Sequence, residues 1–342
     1  MPSHETETSI GLKSFIAGRG TGKVPCRVSV SGGLWRDSTE LFESLRELAP
    51  DVSISGGGAA ELEHEITKPD KWGCDWHFPG DYLDGQVIGH PLSDWDAYRD
   101  YEVPDPSGYC DWDAEARRVA ELRAKGDTAW GNVEHGFLYL RMTYLRGFEN
   151  FMIDLAERRA ELWELRERIT DFWVEMVRRY AEIGVDAISF GDDLGHQDSL
   201  PMSPQLWRDL LKPGFKKIYD LCRENGIAVY MHTDGWILDI IPDLIESGVD
   251  ILNPQDLVNG LDNLARLAKG KVAMDLDIDR QSVTVFGSPA EINQHIHRCI
   301  ETLGSPEGRL MLLYGVYRGT PTENIAACVE AMQKYHDMWA GR

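Results

Sequence analysis

The sequence predicts an α/β fold: a (β/α)8 TIM barrel with a Trp- and Gly-rich flap inserted over one end. Three observations lead there. Eight short β-branched or apolar runs recur along the 342 residues, each followed by a Gly- or Asp-rich turn and a stretch of helical period; parallel strands with covering helices produce this alternation. Eight such units suit a barrel better than an open doubly wound sheet. Polar and flexible residues then gather at the carboxyl ends of the runs, where this architecture places its site.

In chain order the runs are 27–31, 52–55, 129–133, 187–190, 228–232, 251–253, 272–276 and 310–314. The helices between them carry start and stop signals. Ser288-Pro289-Ala290-Glu291 offers a Ser N-cap, a Pro at the first helical position and a Glu three residues after the cap, and Thr320-Pro321-Thr322-Glu323 repeats the pattern. Ser203-Pro204 opens a helix through Leu206, Trp207, Leu210 and Leu211, which Pro213 should kink or split. Gly226 and Gly248 stand where C-caps belong.

Residues 61–111 break the pattern. They read as an insertion containing a hairpin, within one domain spanning residues 1–342. A long excursion of this kind is a lid, a binding loop or a structural flap. Trp72, Trp76, Phe78 and Tyr82 would suit a flat ligand, or the packing beneath such a flap.

Composition narrows the function. With 42% hydrophobic and 27% charged residues the chain is not disordered. Its formal charge, 35 − 57 = −22, offers no electrostatic footprint for nucleic acid or for an anionic membrane. No window approaches ~18 uninterrupted apolar residues, and Met1 to Thr8 lack the basic-then-apolar order of a signal peptide. Six dispersed cysteines without a C-x-x-C read as reduced, buried thiols of a cytoplasmic protein.

The strand ends supply the chemistry. His232 and Asp234 stand two apart, so both side chains point the same way. They could ligate zinc, with Glu134, His135, Asp193 or His196 as third donor, act as a metal-free acid–base dyad, or serve structure alone. Asp192 and Asp193 are adjacent, so one faces the mouth while the other caps a turn. Asp193 and Gln197 are expected to contact substrate. His196 is either catalytic or a loop residue, and Asn253 and Gln255 line the mouth or tie strands together. Asp277 and Arg280 form an internal ion pair or contact substrate, and Tyr314 donates to substrate or packs. Arg141 and Arg146, on a helical stretch, are paired, solvated or anion-binding.

Several blocks carry a resemblance. They are Tyr144-Leu145-Arg146-Gly147-Phe148-Glu149-Asn150, Gly191-Asp192-Asp193-Leu194-Gly195-His196-Gln197-Asp198-Ser199-Leu200, Tyr230-Met231-His232-Thr233-Asp234-Gly235, Gly248-Val249-Asp250-Ile251-Leu252-Asn253-Pro254-Gln255, Asp279-Arg280-Gln281 and Thr320-Pro321-Thr322-Glu323-Asn324-Ile325. In this order, from about residue 71 onward, the chain resembles the uroporphyrinogen decarboxylase superfamily. The resemblance implies a (β/α)8 barrel, a homodimer, and one of two activities: cofactor-free porphyrinogen decarboxylation or corrinoid-dependent methyl transfer.

The decarboxylase's Arg-Gln-Ala-Gly-Arg run is absent; Arg27, Ser29, Gly32, Gly33 and Arg36 stand in its region, and −22 is a poor field for a polycarboxylate. The methyltransferase branch implies zinc on a His-x-Cys pair and a distant Cys. Here His232 is kept, Asp234 replaces the first Cys, and Leu312-Leu313-Tyr314-Gly315 stands where the second belongs. Zinc on His232 and Asp234 would suit an ether or hydroxyl oxygen better than a thiol. The expected function is methyl transfer (O-demethylation) between a small methoxylated substrate and a corrinoid carried by a separate protein. A metal-free decarboxylase of a small acid, with Asp193 or Asp234 holding developing charge, and a barrel without catalysis are the alternatives.

Overall fold

The computed structural model describes residues 11–56, 65–80 and 85–342. Eleven strands occur there: β1 (Cys26–Val30), β2 (Val52–Gly56), β3 (Ile66–Pro69), β4 (Asp75–Phe78), β5 (Gln86–Gly89), β6 (Trp130–His135), β7 (Ala187–Gly191), β8 (Ala228–Thr233), β9 (Ile251–Pro254), β10 (Ala273–Asp277) and β11 (Leu310–Val316). Eight form one parallel sheet in the order β2-β1-β11-β10-β9-β8-β7-β6. They correspond to the eight runs read from the sequence. Strands adjacent in this succession pair, and β1 closes on β11, which is barrel order. Among the described residues no pairing joins β2 to β6, so the sheet is TIM-barrel-like with one seam.

Period-two alternation sorts the side chains. Cys26, Val28 and Val30 of β1, with Leu310, Leu312, Tyr314 and Val316 of β11, are buried in the main core. The residues of opposite parity share the concave face, which is layered. Its floor is apolar: Tyr230, Ile251 and Ala273 pack with Phe15 of the short helix Leu12–Ile16, beside Trp130 and Met311. Above the floor, Arg27 and the Tyr230 hydroxyl both donate to Asp275 Oδ2. The topmost residues line a cavity. The sequence reading did not anticipate helix Leu12–Ile16.

The insertion contains a three-stranded antiparallel sheet, β3-β4-β5, where a hairpin was expected. Trp72 is core, not ligand surface: it is 2% exposed, stands edge-on to Phe172 at 4.8 Å, and donates from Nε1 to the Tyr109 hydroxyl at 2.9 Å. Half-buried Trp76 packs edge-on against Tyr144 at 5.2 Å. Helix Tyr139–Arg146 anchors the segment: Arg141 Nη1 donates to Asp70 Oδ2 at 2.6 Å, and His90 Nδ1 lies 2.7 Å from the Tyr144 carbonyl. The start of the insertion, Tyr82, Gly57 and Gly58 lie outside the described residues.

The helix signals fared unevenly. Ser288 and Glu291 form both halves of a capping box, and the stretch around Pro213 divides into Pro204–Leu210 and Lys212–Glu224. Helix Thr322–Tyr335 instead starts after Pro321 without a side-chain cap, so Thr320 does not play its expected part. All six thiols are unpaired, five of them buried. Among the described residues no helix is long and apolar enough to cross a membrane.

Candidate active site

The ends of β6 to β10 converge on one group of polar side chains. After β7, Asp192 turns inward to the scaffold. Its carboxylate accepts from the N–H groups of Leu138, Tyr139 and Leu140 at 3.1, 2.6 and 2.9 Å, satisfying donors at the start of helix Tyr139–Arg146 that would otherwise lack partners. Burial pushes this carboxyl up to about 7, against the pull of those N–H bonds. Asp193 faces the site, with Oδ2 3.0 Å from His135 Nε2 and Oδ1 accepting from the Asp234 N–H at 3.2 Å. Burial would raise Asp193, but the His135 hydrogen bond, the charges of His135 and His232 and the Asp234 N–H together hold the carboxyl below its ordinary range; the His135 bond in turn holds that imidazole above its own. Gly191 makes room for this imidazole: a Cβ there would fall 2.7 Å from His135 Nδ1.

On β8, His232 Nδ1 lies 2.7 Å from Asn253 Oδ1. The Asn253 amide nitrogen donates to the Asp275 carbonyl, so Oδ1 is the acceptor and His232 carries its proton on Nδ1. Nε2 then offers its lone pair, 3.4 Å from Asp234 Oδ1. The two imidazoles, His135 and His232, stand 5.8 Å apart.

Arg280 bridges two carboxylates. Its Nη2 donates to both Asp234 oxygens at 3.1 and 3.0 Å, and its Nη1 to Asp277 Oδ2. Asp277 is 1% exposed and its Oδ1 has no hydrogen-bond partner. Burial pushes it up to about 7, opposed by Arg280 and reinforced by Asp234. The loops carrying these groups touch backbone to backbone: Gly235 has φ +85°, and a Cβ there would meet the Gly195 carbonyl at 2.2 Å. Only glycine fits.

The cavity, about 340 Å³, is lined by Ser29, Tyr230, His232, Asn253, Asp277 and Arg280 among others. His232, Asn253, Asp277 and Arg280, all expected from the sequence, line it, and the likewise expected Asp234 and Asp193 adjoin them, Asp234 through Arg280 and Asp193 through the Asp234 N–H. Glu134 does not line it; it accepts from Arg141 at 2.9 Å and from the Tyr109 hydroxyl, and braces the insertion. Gln255 ties loops together, accepting from the Gly235 N–H at 2.9 Å. Arg141 and Arg146 are buried ion-pair partners of Asp70 and Glu134 and of Asp154. Three candidates for substrate contact stand outside the pocket, and His196 and Tyr314 take the loop and packing alternatives. Gln197 and His196 lie on an exposed loop outside the cavity lining, the His196 ring facing Phe148 at 6.4 Å. Tyr314 points into the helix layer, because it has the parity of Leu310 and Leu312, while Leu313, Gly315 and Tyr317 reach the pocket. Tyr230 and Ser29 were overlooked, although each stands two residues from a recognised position and so shares its face.

His232 belongs to two groups of metal-ligating side chains whose donor atoms lie within 4.8 Å of one another: with Asp234 and Asp277, and with His135 and Asp193. In the first, the Arg280 guanidinium already pairs with both carboxylates. In the second, His135 is paired with Asp193 and must give up a proton to ligate, and the two imidazoles and one carboxylate are then a donor set suited to zinc. Asn253, on the far nitrogen of His232, is the orienting partner that metal-bound histidines usually have. Both groups have donors that fit an ion, the expected His232 and Asp234 among them; His135, Asp193 and His232 come closer to zinc's usual donor set because two of the three are imidazoles.

Fold and site together define a TIM-barrel-like α/β protein with a polar pocket at the carboxyl ends of its strands. The chain belongs to the uroporphyrinogen decarboxylase (URO-D) family, whose model matches residues 66–335. It is 25% identical over 180 residues to uroporphyrinogen decarboxylase 2 of Arabidopsis thaliana, a match covering 51% of this chain and 42% of that protein. It is likewise 25% identical over 171 residues to uroporphyrinogen decarboxylase of Hordeum vulgare, covering 49% of each. The chain thus spans about half the length or less of these curated relatives. Among solved structures it is similar to a methyltransferase from Methanosarcina mazei, with TM-score 0.62, 16% identity, and coverage of 94% of this chain and 98% of that one.

Proposed function

We propose that the chain is an enzyme moving a methyl group between a small methoxylated substrate and a corrinoid held by a separate protein. The observation that carries this reading is His232: its ring is fixed by Asn253, and it lines a cavity of about 340 Å³ where the resemblance puts a metal ligand. That volume lies at the lower end of small-molecule pockets and suits a single ring better than a polycarboxylate tetrapyrrole. The similar Methanosarcina mazei protein, described as a methyltransferase, supports the same choice.

His135, Asp193 and His232 would hold zinc, which when bound polarises an ether or hydroxyl oxygen. The chain's own groups do the rest. Asn253 sets the His232 tautomer, and Asp193 fixes His135. As a methyl group leaves an ether oxygen, that oxygen gains charge and needs a proton. Asp277, near half-protonated at neutral pH and with a bare Oδ1, supplies it. Arg280 steadies the carboxylate left behind.

A second reading, decarboxylation of a small acid without metal, draws on the same Asp277, which would protonate the carbon that loses carbon dioxide. Methoxylated aromatics incubated with the protein and a reduced corrinoid decide between them. The first reading expects a change in cobalt absorbance that depends on His232 and disappears with chelator. Carbon dioxide release from small acids by chelator-treated protein, with no cobalt change, would overturn it in favour of the second.

A further inference from the structure

Away from the pocket, three metal-ligating side chains of different kinds meet in the interior. His295 and Cys299 stand one turn apart on helix Pro289–Leu303, and Asp256 opens helix Asp256–Asn259 just after β9. Asp256 Oδ2 lies 2.7 Å from His295 Nε2 and 3.9 Å from Cys299 Sγ, and the Cys299 sulfur is 3.7 Å from His295 Nε2. A tetrahedral zinc ion with bonds of about 2.0–2.3 Å needs its donors about 3.3–3.6 Å apart, so each separation is within roughly 0.6 Å of what an ion requires. The His295 side chain is 9% exposed and the Asp256 side chain 1%, with Cys299 fully buried, so the group is enclosed yet has an edge toward solvent.

We propose that Asp256, His295 and Cys299 form a second, buried site for a divalent transition ion such as Zn²⁺, separate from the pocket. Thiolate, imidazole and carboxylate together select a borderline ion over calcium or magnesium. Without an ion, burial and then the neighbouring Asp256 drive the Cys299 thiol far above its ordinary range, and burial likewise raises Cys328 on the facing helix Thr322–Tyr335. A dication reverses this balance: as it binds, the Cys299 proton leaves to solvent and the thiolate takes its place. The ion would also stiffen the pocket wall, since Asp256 follows Gln255, which holds the Gly235 N–H and bridges backbone to Asp277.

Cobalt tests this site alone, because none of the pocket's donors is a thiol. Chelator-treated full-length protein titrated with Co²⁺ should take up one equivalent with a thiolate-to-cobalt absorption band. The band should survive His232→Ala, and binding should weaken by at least about tenfold in Cys299→Ser and His295→Gln. A wild-type titration without that band overturns the proposal, whether or not the variants fold. So does a band that Cys299→Ser leaves intact.

Discussion

Replacing Asp277 with asparagine tests whether a near-neutral acid stands in the pocket. The carboxyl is 1% exposed and is pushed from 3.8 to about 7, by burial first and by Asp234 and Asp256 in addition, while Arg280 opposes. A carboxyl whose folded value is raised stabilises the fold fully below its unfolded value, and that contribution is lost as pH rises through the folded one. At ~1.36 kcal/mol per unit, the wild type should lose about 2–3 kcal/mol at this group between about pH 5 and pH 8. Asparagine does not titrate, so Asp277→Asn should gain that amount relative to wild type over the same interval. Urea unfolding at a series of pH values, with midpoints converted through the denaturant slope, measures the difference. A gap between the two proteins that stays within about 0.5 kcal/mol across the range would show that Asp277 ionises as an ordinary carboxyl beside Arg280, and the proton-donor role would fall.

Gly191→Ala should push the His135 imidazole away from Asp193, since the added Cβ would stand 2.7 Å from Nδ1; NMR titration should show the His135 value falling toward that of a free imidazole while circular dichroism is unchanged. Arg141→Met removes a 2%-exposed guanidinium from between Asp70 and Glu134. The loss should be about 2–3 kcal/mol, at or below the low end for broken buried pairs because both acids keep some contact with water, and limited proteolysis should cut the insertion sooner. Phe15→Ala opens the floor beneath Tyr230 and Ile251, and should cost about 3 kcal/mol with increased binding of a hydrophobic dye.

Most of the scaffold was legible because its signals are local. The eight parallel strands announce themselves as short β-branched or apolar runs ending in polar or Gly residues, and Ser288-Pro289 marks its helix by capping chemistry within four residues. What escaped was decided at a distance. Helix Leu12–Ile16 is five residues long and owes its place to Phe15 meeting strands more than two hundred residues away. The pairing of Arg280 with Asp234 spans 46 positions, so no local pattern announces it. Whether Tyr314 donates or packs depends on which parity of β11 faces inward, and neighbouring strands decide that: Leu313 and Gly315 reach the pocket, and Tyr314 packs. Gly191 was legible as a turn residue, but its real task, space for His135, requires the neighbouring strand.

The stacked floor of the concave face has a kinetic corollary. Phe15 and its companions plug the base, and the Arg27, Asp275 and Tyr230 storey stands above them. Among the described residues the base is therefore closed, and a guest enters and leaves over the rim formed by the strand ends. If methyl transfer is the reaction, a bulky partner docked over that rim would cover what is already inside, and the smaller molecule should arrive first and depart last.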